Sequence, residues 1–290
     1  MLIVFWPLFT ALLMSDPLRV LITRPLAQAA SWAQALGERG VDARCVPVLV
    51  LEALTDEAER QAIKNCIVDV DLYQKAIVVS RNAVDFAMEW LDAWWPQLPT
   101  GIEWFAVGKT TAEALAAHGI AVSALEQASD GAMTSETLLQ AEALQQVAGE
   151  KIVIFRGQGG RGHMGEILRA RGASVDYCEL YRRAVPPEAA ASLAALIGEQ
   201  RWQPDLVAVH SGESLQHFMQ ILTEVSALTG EPLLADSWRQ VALMVPGERV
   251  AALATDAGFK QVVVAENATD HAMTRALEAF AKARAFSFSD

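Results

Sequence analysis

The sequence predicts an α/β protein in which helices cover both faces of parallel β-sheets. Short β-branched runs alternate with longer stretches of helical periodicity along the 290 residues, a pattern typical of strand–helix–strand units. The expected strands 76–79 and 151–155 carry continuous apolar runs, the second of which begins after Lys151, as expected for strands buried on both faces. The chain also repeats itself, which predicts two similar α/β units.

The internal repeat consists of three ordered matches. Residues 20–24 resemble 152–156, residues 76–88 resemble 207–219, and residues 107–115 resemble 245–253, at offsets of 132, 131 and 138 residues. Matches in the same order indicate two related structural units. The repeat alone would divide the chain near residue 149.

The predicted elements alternate regularly. Strands are expected at 20–24, 43–52, 75–79, 103–107, 120–124, 151–155, 174–181, 205–209, 241–245 and 261–264. Helices are expected at 26–39, 56–67, 82–93, 109–118, 134–147, 163–171, 187–199, 212–223, 247–257 and 269–283. The strand-to-helix turns then lie at the carboxyl ends of the strands, where open parallel sheets bind ligands.

The first fourteen residues form an apolar extension interrupted only by Pro7 and Thr10. The segment is shorter than the roughly 20 apolar residues that span a bilayer, and it lacks the basic start and cleavage site of a signal peptide. We expect that translation starts at Met14 and that residues 1–14 are an extension outside the fold. The alternative is a weak membrane contact, and no stable membrane insertion is expected.

Charge and cysteine content exclude several classes of protein. The chain has 23 Lys and Arg against 35 Asp and Glu, a net charge of −12, so a nucleic-acid-binding surface is not expected. An anionic small molecule would need local hydrogen-bond donors. Three isolated cysteines favour a reducing compartment, here the cytoplasm. No HExxH motif is present, and an apolar or capped helix face explains His210, Glu213 and His217 better than a metal site does.

The turn 157–162 reads G-x-G-x-x-G between a predicted strand and a predicted helix. One hypothesis is a dinucleotide site, with Asp176 or Glu179 on the ribose. A second is a carboxylate site made of backbone N–H groups together with Arg156 and Arg161. The third is a plain glycine turn.

Three other strand-to-helix turns carry polar groups. Ser80 and Ser211 are typical N-cap residues, and they also stand where a ligand would bind. The turn 107–111 offers backbone amides, a lysine and two threonine hydroxyls, but it lacks the spacing of a P-loop.

Tyr181, which precedes two arginines, is either a linker residue or a neutral proton donor beside an anionic ligand.

Together these stretches resemble the uroporphyrinogen-III synthase family. The matching residues are 21–25, 78–84, 106–115 with Gly119, Arg156-Gly157 with Gly160-Arg161, 168–172 and 181–183. They cover most of residues 20–265 in the family's order. The resemblance implies that the first strand and helix join the C-terminal half, giving one domain of residues 16–48 and 185–286 and another of 49–184. Two extended segments, 47–54 and 177–186, would tether the domains across a cleft.

The resemblance also implies an activity. The substrate would be hydroxymethylbilane, a linear tetrapyrrole with eight carboxylates, which is cyclised to uroporphyrinogen III with loss of water and inversion of ring D. No metal or organic cofactor is expected, and a monomer is expected. Tyr181 would be the catalytic residue. The expected substrate-binding residues are Arg24, Ser80, Asn82, Gly108, Lys109, Thr111, Arg156, Gly157, Arg161, Ser211, Gly212 and Gly247. The alternatives are a nucleotide-dependent oxidoreductase at the turn 157–162 and a two-domain solute-binding protein.

Overall fold

The structure, a computed structural model, describes residues 17–123, 135–160, 162–198, 202–231 and 234–287, with side chains through residue 284. It has two compact units. The first unit contains the described residues up to Val50 and from Val185 onward, and the second contains the described residues of Leu51–Ala184. The N-terminal extension expected at 1–14, with its proposed start at Met14, lies outside the described residues. No helix in the described ranges is long and apolar enough to cross a membrane.

Each unit is built on a five-stranded, largely parallel sheet. The strands in chain order are β1 (Arg19–Ile22), β2 (Asp42–Cys45), β3 (Val50–Ala53), β4 (Lys75–Val78), β5 (Glu103–Ala106), β6 (Lys151–Gly157), β7 (Ser174–Ala184), β8 (Leu206–Ala208), β9 (Ala242–Pro246) and β10 (Val262–Ala265). The helices are α1 (Leu26–Gly37), α2 (Glu57–Val68), α3 (Arg81–Trp94), α4 (Lys109–Ala117), α5 (Ser135–Leu138), α6 (His163–Ala170), α7 (Ala189–Gly198), α8 (Gly212–Thr229), α9 (Leu234–Trp238), α10 (Gly247–Asp256) and α11 (Asp270–Ser287). The expected α/β class is confirmed.

The first unit has three layers. Its sheet has the strand order β10-β9-β8-β1-β2. Leu21 of β1 points into a core shared with helices α7 to α10, whereas Val20 and Ile22 point into a core shared with α1 and α11. Successive side chains of a strand alternate between its faces, so the apolar run 20–22 contributes to both cores.

The second unit follows the same plan. Its strand order is β3-β7-β6-β4-β5. Val153 and Phe155 of β6 pack in a core with helices α2, α3 and α4, and Ile152 and Ile154 pack in a core with α5 and α6. Strands β6, β7, β4 and β5 therefore occupy the places that β1, β2, β8 and β9 occupy in the first sheet. This correspondence is the one that the sequence repeat indicates.

Three sequence expectations were wrong in detail. The predicted strand 43–52 is two strands, β2 and β3, which lie in different sheets. The N–H of Val48 still bonds the carbonyl of Thr23 beside the first sheet, and the chain enters the second unit after Val50. The predicted helix 134–147 contains only α5 and a 3₁₀ turn, Glu142–Leu144, among its described residues. The predicted strand 120–124 contributes a single bridge between Val122 and Trp104 within its described part. Helix α9 was not predicted.

Candidate functional site

Each sheet has a point at which the chain connections leave in opposite directions. In the second unit, β6 and β4 are neighbours, but β6 leads to β7 on one side and β4 leads to β5 on the other. In the first unit the same holds for β1, which leads to β2, and β8, which leads to β9. Doubly wound sheets bind ligands at the carboxyl ends of the strands that flank such a point. The turns that follow these four strands are therefore the places to look for a site.

Tyr181 lies at this point in the second unit and is only 1% exposed. Its ring stacks on Phe86 of α3 at a centroid distance of 4.9 Å. Its Oη lies 3.2 Å from Oγ of Ser80, and that Oγ accepts a hydrogen bond from the backbone N–H of Ala83. The hydroxyl of Tyr181 is thus linked to the N-cap of α3, directly after β4.

A β-bulge determines which face of the sheet Tyr181 occupies. The register between β6 and β7 shifts between Arg156, which pairs with Glu179, and Gly157, which pairs with Tyr181, so Leu180 is the extra residue. Tyr177 packs in the core with α6, and plain alternation would put Tyr181 there too. The bulge instead places Tyr181 beside Leu180 in the core with α3. Bulges commonly change a side chain's direction in this way near functional sites.

Gly157 makes room for the tyrosine. A Cβ atom at this position would lie 2.6 Å from Cε2 and 2.8 Å from Cζ of Tyr181. Both distances are too short for carbon atoms. The glycine therefore permits the ring of Tyr181 to lie against β6.

The contacts of Arg156 differ from those expected of a carboxylate-binding residue. It is 6% exposed, and its Nε donates to the carbonyl of Gly157 at 3.2 Å and lies 3.4 Å from Oε1 of Glu179. The Nη2 of Arg156 donates a hydrogen bond to the carbonyl of Gly160. These contacts make Arg156 an internal support of the turn. Arg161, the other arginine expected there, lies outside the described residues.

In the turn before α4, polar residues that are neighbours in sequence have very different exposures. Gly108 is the N-cap of α4 and has φ of 89°, a left-handed conformation that favours glycine. The Lys109 side chain is 87% exposed and pairs loosely with Glu113. Thr111 is 1% exposed, and its hydroxyl donates to the carbonyl of Val107 at 2.7 Å. The expected substrate contact of Thr111 is therefore not supported by its position, because its side chain lies in the core.

In the first unit, Ser211 is the equivalent of Ser80. Its Oγ accepts from the N–H of Ser214 at 3.0 Å and caps α8. Gly212 follows it inside the helix, where a Cβ would lie 3.0 Å from Cδ1 of Leu253. Gly247 starts α10 with φ of 74°. Together with Asn82, which is half-buried in the first turn of α3, these residues surround helix N-termini. Such N-termini carry free N–H groups and partial positive charge.

Arg24 and His210 flank the corresponding point of the first sheet. Arg24 forms an ion pair with Asp270 at the start of α11. The imidazole of His210 packs edge-on against Trp32 at 5.4 Å, and neither ring nitrogen has a hydrogen-bond partner among the described residues. Burial, with a smaller contribution from the charge of Arg24, lowers the pKa of His210 to about 3. No pattern in the sequence predicts this buried neutral imidazole.

The described residues contain no group of three or more His, Cys, Asp or Glu side chains placed to hold a metal ion. Asp176 and Glu179, the acids considered for a ribose, are both engaged within the second unit. Asp176 accepts from Oη of Tyr73 at 2.8 Å, and Glu179 pairs with Arg156. The geometry offers backbone amides, hydroxyls and one tyrosine, a set suited to binding carboxylates and donating a proton.

The fold and these turns define a class: two-unit α/β proteins with polar strand-to-helix turns at the carboxyl ends of parallel strands. Comparison with known proteins gives the family. The model for uroporphyrinogen-III synthase HemD matches residues 30–275, and the chain belongs to the uroporphyrinogen-III synthase family. The expected resemblance is confirmed, and the oxidoreductase alternative is not supported.

Individual relatives agree with the family model. The chain is 37% identical over 207 residues to the uroporphyrinogen-III synthase of Escherichia coli (strain K12), covering 69% of this chain and 76% of that protein. It is 33% identical over 266 residues to that of Salmonella typhimurium, covering 89% and 99%. A crystal structure of a mutant uroporphyrinogen III synthase from Thermus thermophilus matches with a TM-score of 0.56 at 21% identity, covering 90% of this chain and 99% of that one. At that identity, the structural match supports the fold.

Proposed function

We propose that this protein is a cyclising lyase that converts hydroxymethylbilane into uroporphyrinogen III, with loss of water and inversion of ring D. The observation that carries the proposal is the family match over residues 30–275. Uroporphyrinogen-III synthases belong to porphyrin biosynthesis. The reaction uses no metal or organic cofactor in this proposal, so the protein's own groups must bind and orient the substrate.

The chemistry sets two tasks for the protein. The nitrogen lone pair of ring A expels the hydroxyl as water and leaves an electrophilic azafulvene. In free solution, the free carbon of ring D closes the macrocycle and gives isomer I. The enzyme must direct the first attack to the substituted carbon of ring D. The resulting spiro intermediate breaks the bond between ring D and its methylene bridge to ring C, which becomes a second azafulvene. The free carbon of ring D then bonds that methylene carbon and loses its proton.

Tyr181 is the proposed acid for the departing hydroxyl. Acid assistance of this kind contributes roughly 10²–10⁴-fold to a rate, and a phenol carries a transferable proton. Its Oη lies beside the N-cap Ser80 at the carboxyl edge of the sheet. Substrate would have to reach the hydroxyl from the Ser80 side, because the ring itself is enclosed between Phe86 and Gly157.

Orientation is the larger task. Holding reacting groups in a near-attack geometry supplies up to about 7–11 kcal/mol. The proposed carboxylate donors are the backbone amides at the starts of α3, α4, α6, α8 and α10, because such amides bind anions without adding cations. The residues proposed to frame them are Ser80, Asn82, Gly108, Gly157, Ser211, Gly212 and Gly247. Arg24 and Lys109 would add charge, and Arg161 stays a prediction. We propose that Arg156 supports the turn after β6. Thr111 is proposed to support the turn before α4 through its hydrogen bond to Val107.

We also propose domains of residues 16–48 with 185–286 and of 49–184. The division of the described chain near Val50 and Val185 supports them, as does the pairing of β1 with β8. A cytoplasmic location is proposed from the isolated cysteines, which are free thiols in the structure. A monomer remains a prediction that light scattering would test.

The test of the function is the isomer that forms. Hydroxymethylbilane is incubated with and without the purified protein, and the oxidised products are separated by chromatography. The proposal expects uroporphyrinogen III with the protein and isomer I without it. Isomer I as the main product in both reactions would contradict it.

A further inference from the structure

The glycine turn after β6 is held from inside by two side chains. Arg156 donates to the carbonyls of Gly157 and Gly160. Tyr177 of β7 donates its Oη proton to the carbonyl of Gly162 at 3.0 Å. Gly162 is the N-cap of α6, and its carbonyl also accepts from the N–H of Glu166 at 3.1 Å. Tyr177 thus bonds the residue at which the helix begins.

Tyr177 is itself fixed by neighbouring charges. The guanidinium of Arg156 lies 4.6 Å from its ring centroid, and that of Arg169 lies 5.1 Å away. Arg169 is bonded in turn to the carbonyl of Val175 at 2.6 Å, and Arg156 pairs with Glu179. Cation–π contacts of this kind attract the two guanidinium groups to the ring. The ring therefore has a defined position against the turn.

The close fit extends to the first turn of α6. A Cβ at Gly165 would lie 2.1 Å from Oη of Tyr177 and 2.7 Å from its Cζ. A Cβ at Gly160 would lie 2.8 Å from the guanidinium of Arg156. The two glycines leave the space that the two side chains fill, so the turn and its supports form one packed group.

The direction of the Gly162 carbonyl determines where the N–H of His163 points. In a trans peptide group the C=O and the following N–H point in opposite directions. The carbonyl of Gly162 points to Tyr177 and Glu166, so the N–H of His163 points away from them, out of the start of α6. The first N–H groups of a helix have no partner within it and bind anions. The hydroxyl of Tyr177 thereby fixes the direction of the His163 N–H, which it does not touch.

We infer that Tyr177 is a positioning residue that holds the start of α6 ready for a substrate carboxylate, acting through the carbonyl of Gly162. This inference rests on the proposed function, which supplies the carboxylate ligand. Tyr177 has no part in the proton transfer assigned to Tyr181, because its hydroxyl is committed to Gly162 on the opposite side of the sheet.

The test uses Tyr177→Phe, which keeps the ring between the arginines and removes only the hydroxyl. Steady-state kinetics with hydroxymethylbilane should give a KM raised about 3- to 10-fold and a kcat within twofold of wild type, because ground-state and transition-state binding of a remote carboxylate weaken together. The matched control is Tyr73→Phe. That tyrosine also donates its hydroxyl to a group on β7, Asp176, and its loss should leave KM unchanged.

A second variant, Gly165→Ala, displaces the same hydroxyl while keeping the tyrosine, and it should raise KM in the same way. Thermal unfolding of every variant is measured alongside. A KM for Tyr177→Phe equal to that of wild type or of Tyr73→Phe, or a loss confined to kcat, overturns the inference. Wild-type protein in the same assay reports on the proposed function separately, because failure to make isomer III there would refute the function itself.

Discussion

Tyr181 shows how one extra residue in a strand redirects a side chain. The bulge at Leu180 moves the tyrosine from the face covered by α6 to the face covered by α3. There it stacks on Phe86 and contacts Ser80. Without the bulge, the side chain would lie on the face of Tyr177 and Glu179, away from the N-cap hydroxyl.

Replacing Tyr181 by Phe should slow formation of isomer III at least several-fold while the fold stays intact. The phenyl ring keeps its contacts with Phe86 and Gly157, and only the hydrogen bond to Ser80 is lost, which costs about 0.5–1.5 kcal/mol of stability. The measurement is kcat for isomer III, with circular dichroism and a melting curve as controls. Unchanged turnover would remove Tyr181 from the mechanism.

The buried imidazole of His210 should make the free energy of unfolding sensitive to acid. Its folded pKa is lowered to about 3, whereas an unperturbed histidine has a pKa near 6.5. Between these values, the unfolded chain binds a proton that the folded protein does not. The free energy of unfolding therefore falls as the pH falls through this window, by at most about 1.4 kcal/mol per unit for this group. Above about pH 6.5 the effect is absent.

The measurement is urea unfolding at about pH 7 and about pH 5. His210→Phe keeps an aromatic ring beside Trp32 and removes the titrating group, so it should lose less stability on acidification than wild type. His271→Phe, which changes an exposed histidine of the same unit, should behave like wild type. Equal acid sensitivity in His210→Phe and wild type would contradict the prediction.

The strand-to-helix turns are the elements that make the candidate site. Each of the helices α3, α4, α6, α8 and α10 follows the carboxyl end of a strand. Serine caps α3 and α8, glycine caps α4 and α6, and α10 begins with Gly247 after its N-cap Pro246. Gly247 is the clearest example, because its φ of 74° lies in the left-handed region. A side chain there costs about 1–2 kcal/mol.

Gly247→Ala should raise KM for hydroxymethylbilane several-fold, because relaxing the backbone strain shifts the first amides of α10. Gly230→Ala is the matched control. Gly230 has φ of 72°, open space around it and a place at the opposite end of α8. Both variants should lose similar stability in urea titrations. If both raise KM equally, the change reflects general destabilisation and the site assignment of Gly247 is wrong.

Across the whole molecule, net charge opposes the proposed substrate. The chain carries −12, and a tetrapyrrole with eight carboxylates is repelled at long range. Salt screens charges separated by more than about 10 Å at 0.1 M, while bonds from backbone amides act at contact.

Raising the ionic strength from about 0.02 M to about 0.15 M should therefore raise kcat/KM, because the long-range repulsion is screened. Sucrose at equal osmolality serves as the uncharged control and should not have this effect. The measurement is the initial rate at substrate concentrations well below KM. A steady fall of kcat/KM with salt would mean that local cations such as Arg24 and Lys109 dominate binding instead.

The α/β class, the position of most strands and helices, the two-fold repeat and the family could all be predicted from the sequence. Those properties follow from local periodicity and from short motifs, which depend on residues near one another in the chain. The exposed Lys109 and the caps Ser80 and Ser211 were also recognisable as polar groups at strand ends.

The pairing of the strands and the contacts of the polar side chains could be seen only in the folded structure. The repeat alone would have kept β1 with its neighbours in sequence, but β1 pairs with β8, 186 residues away at Val20 and Leu206. The inward position of Thr111, the internal bonds of Arg156 and the bulge that redirects Tyr181 likewise depend on the packing of the folded unit. Sheet pairing and side-chain burial are non-local, so no window of sequence contains the contacts that select them.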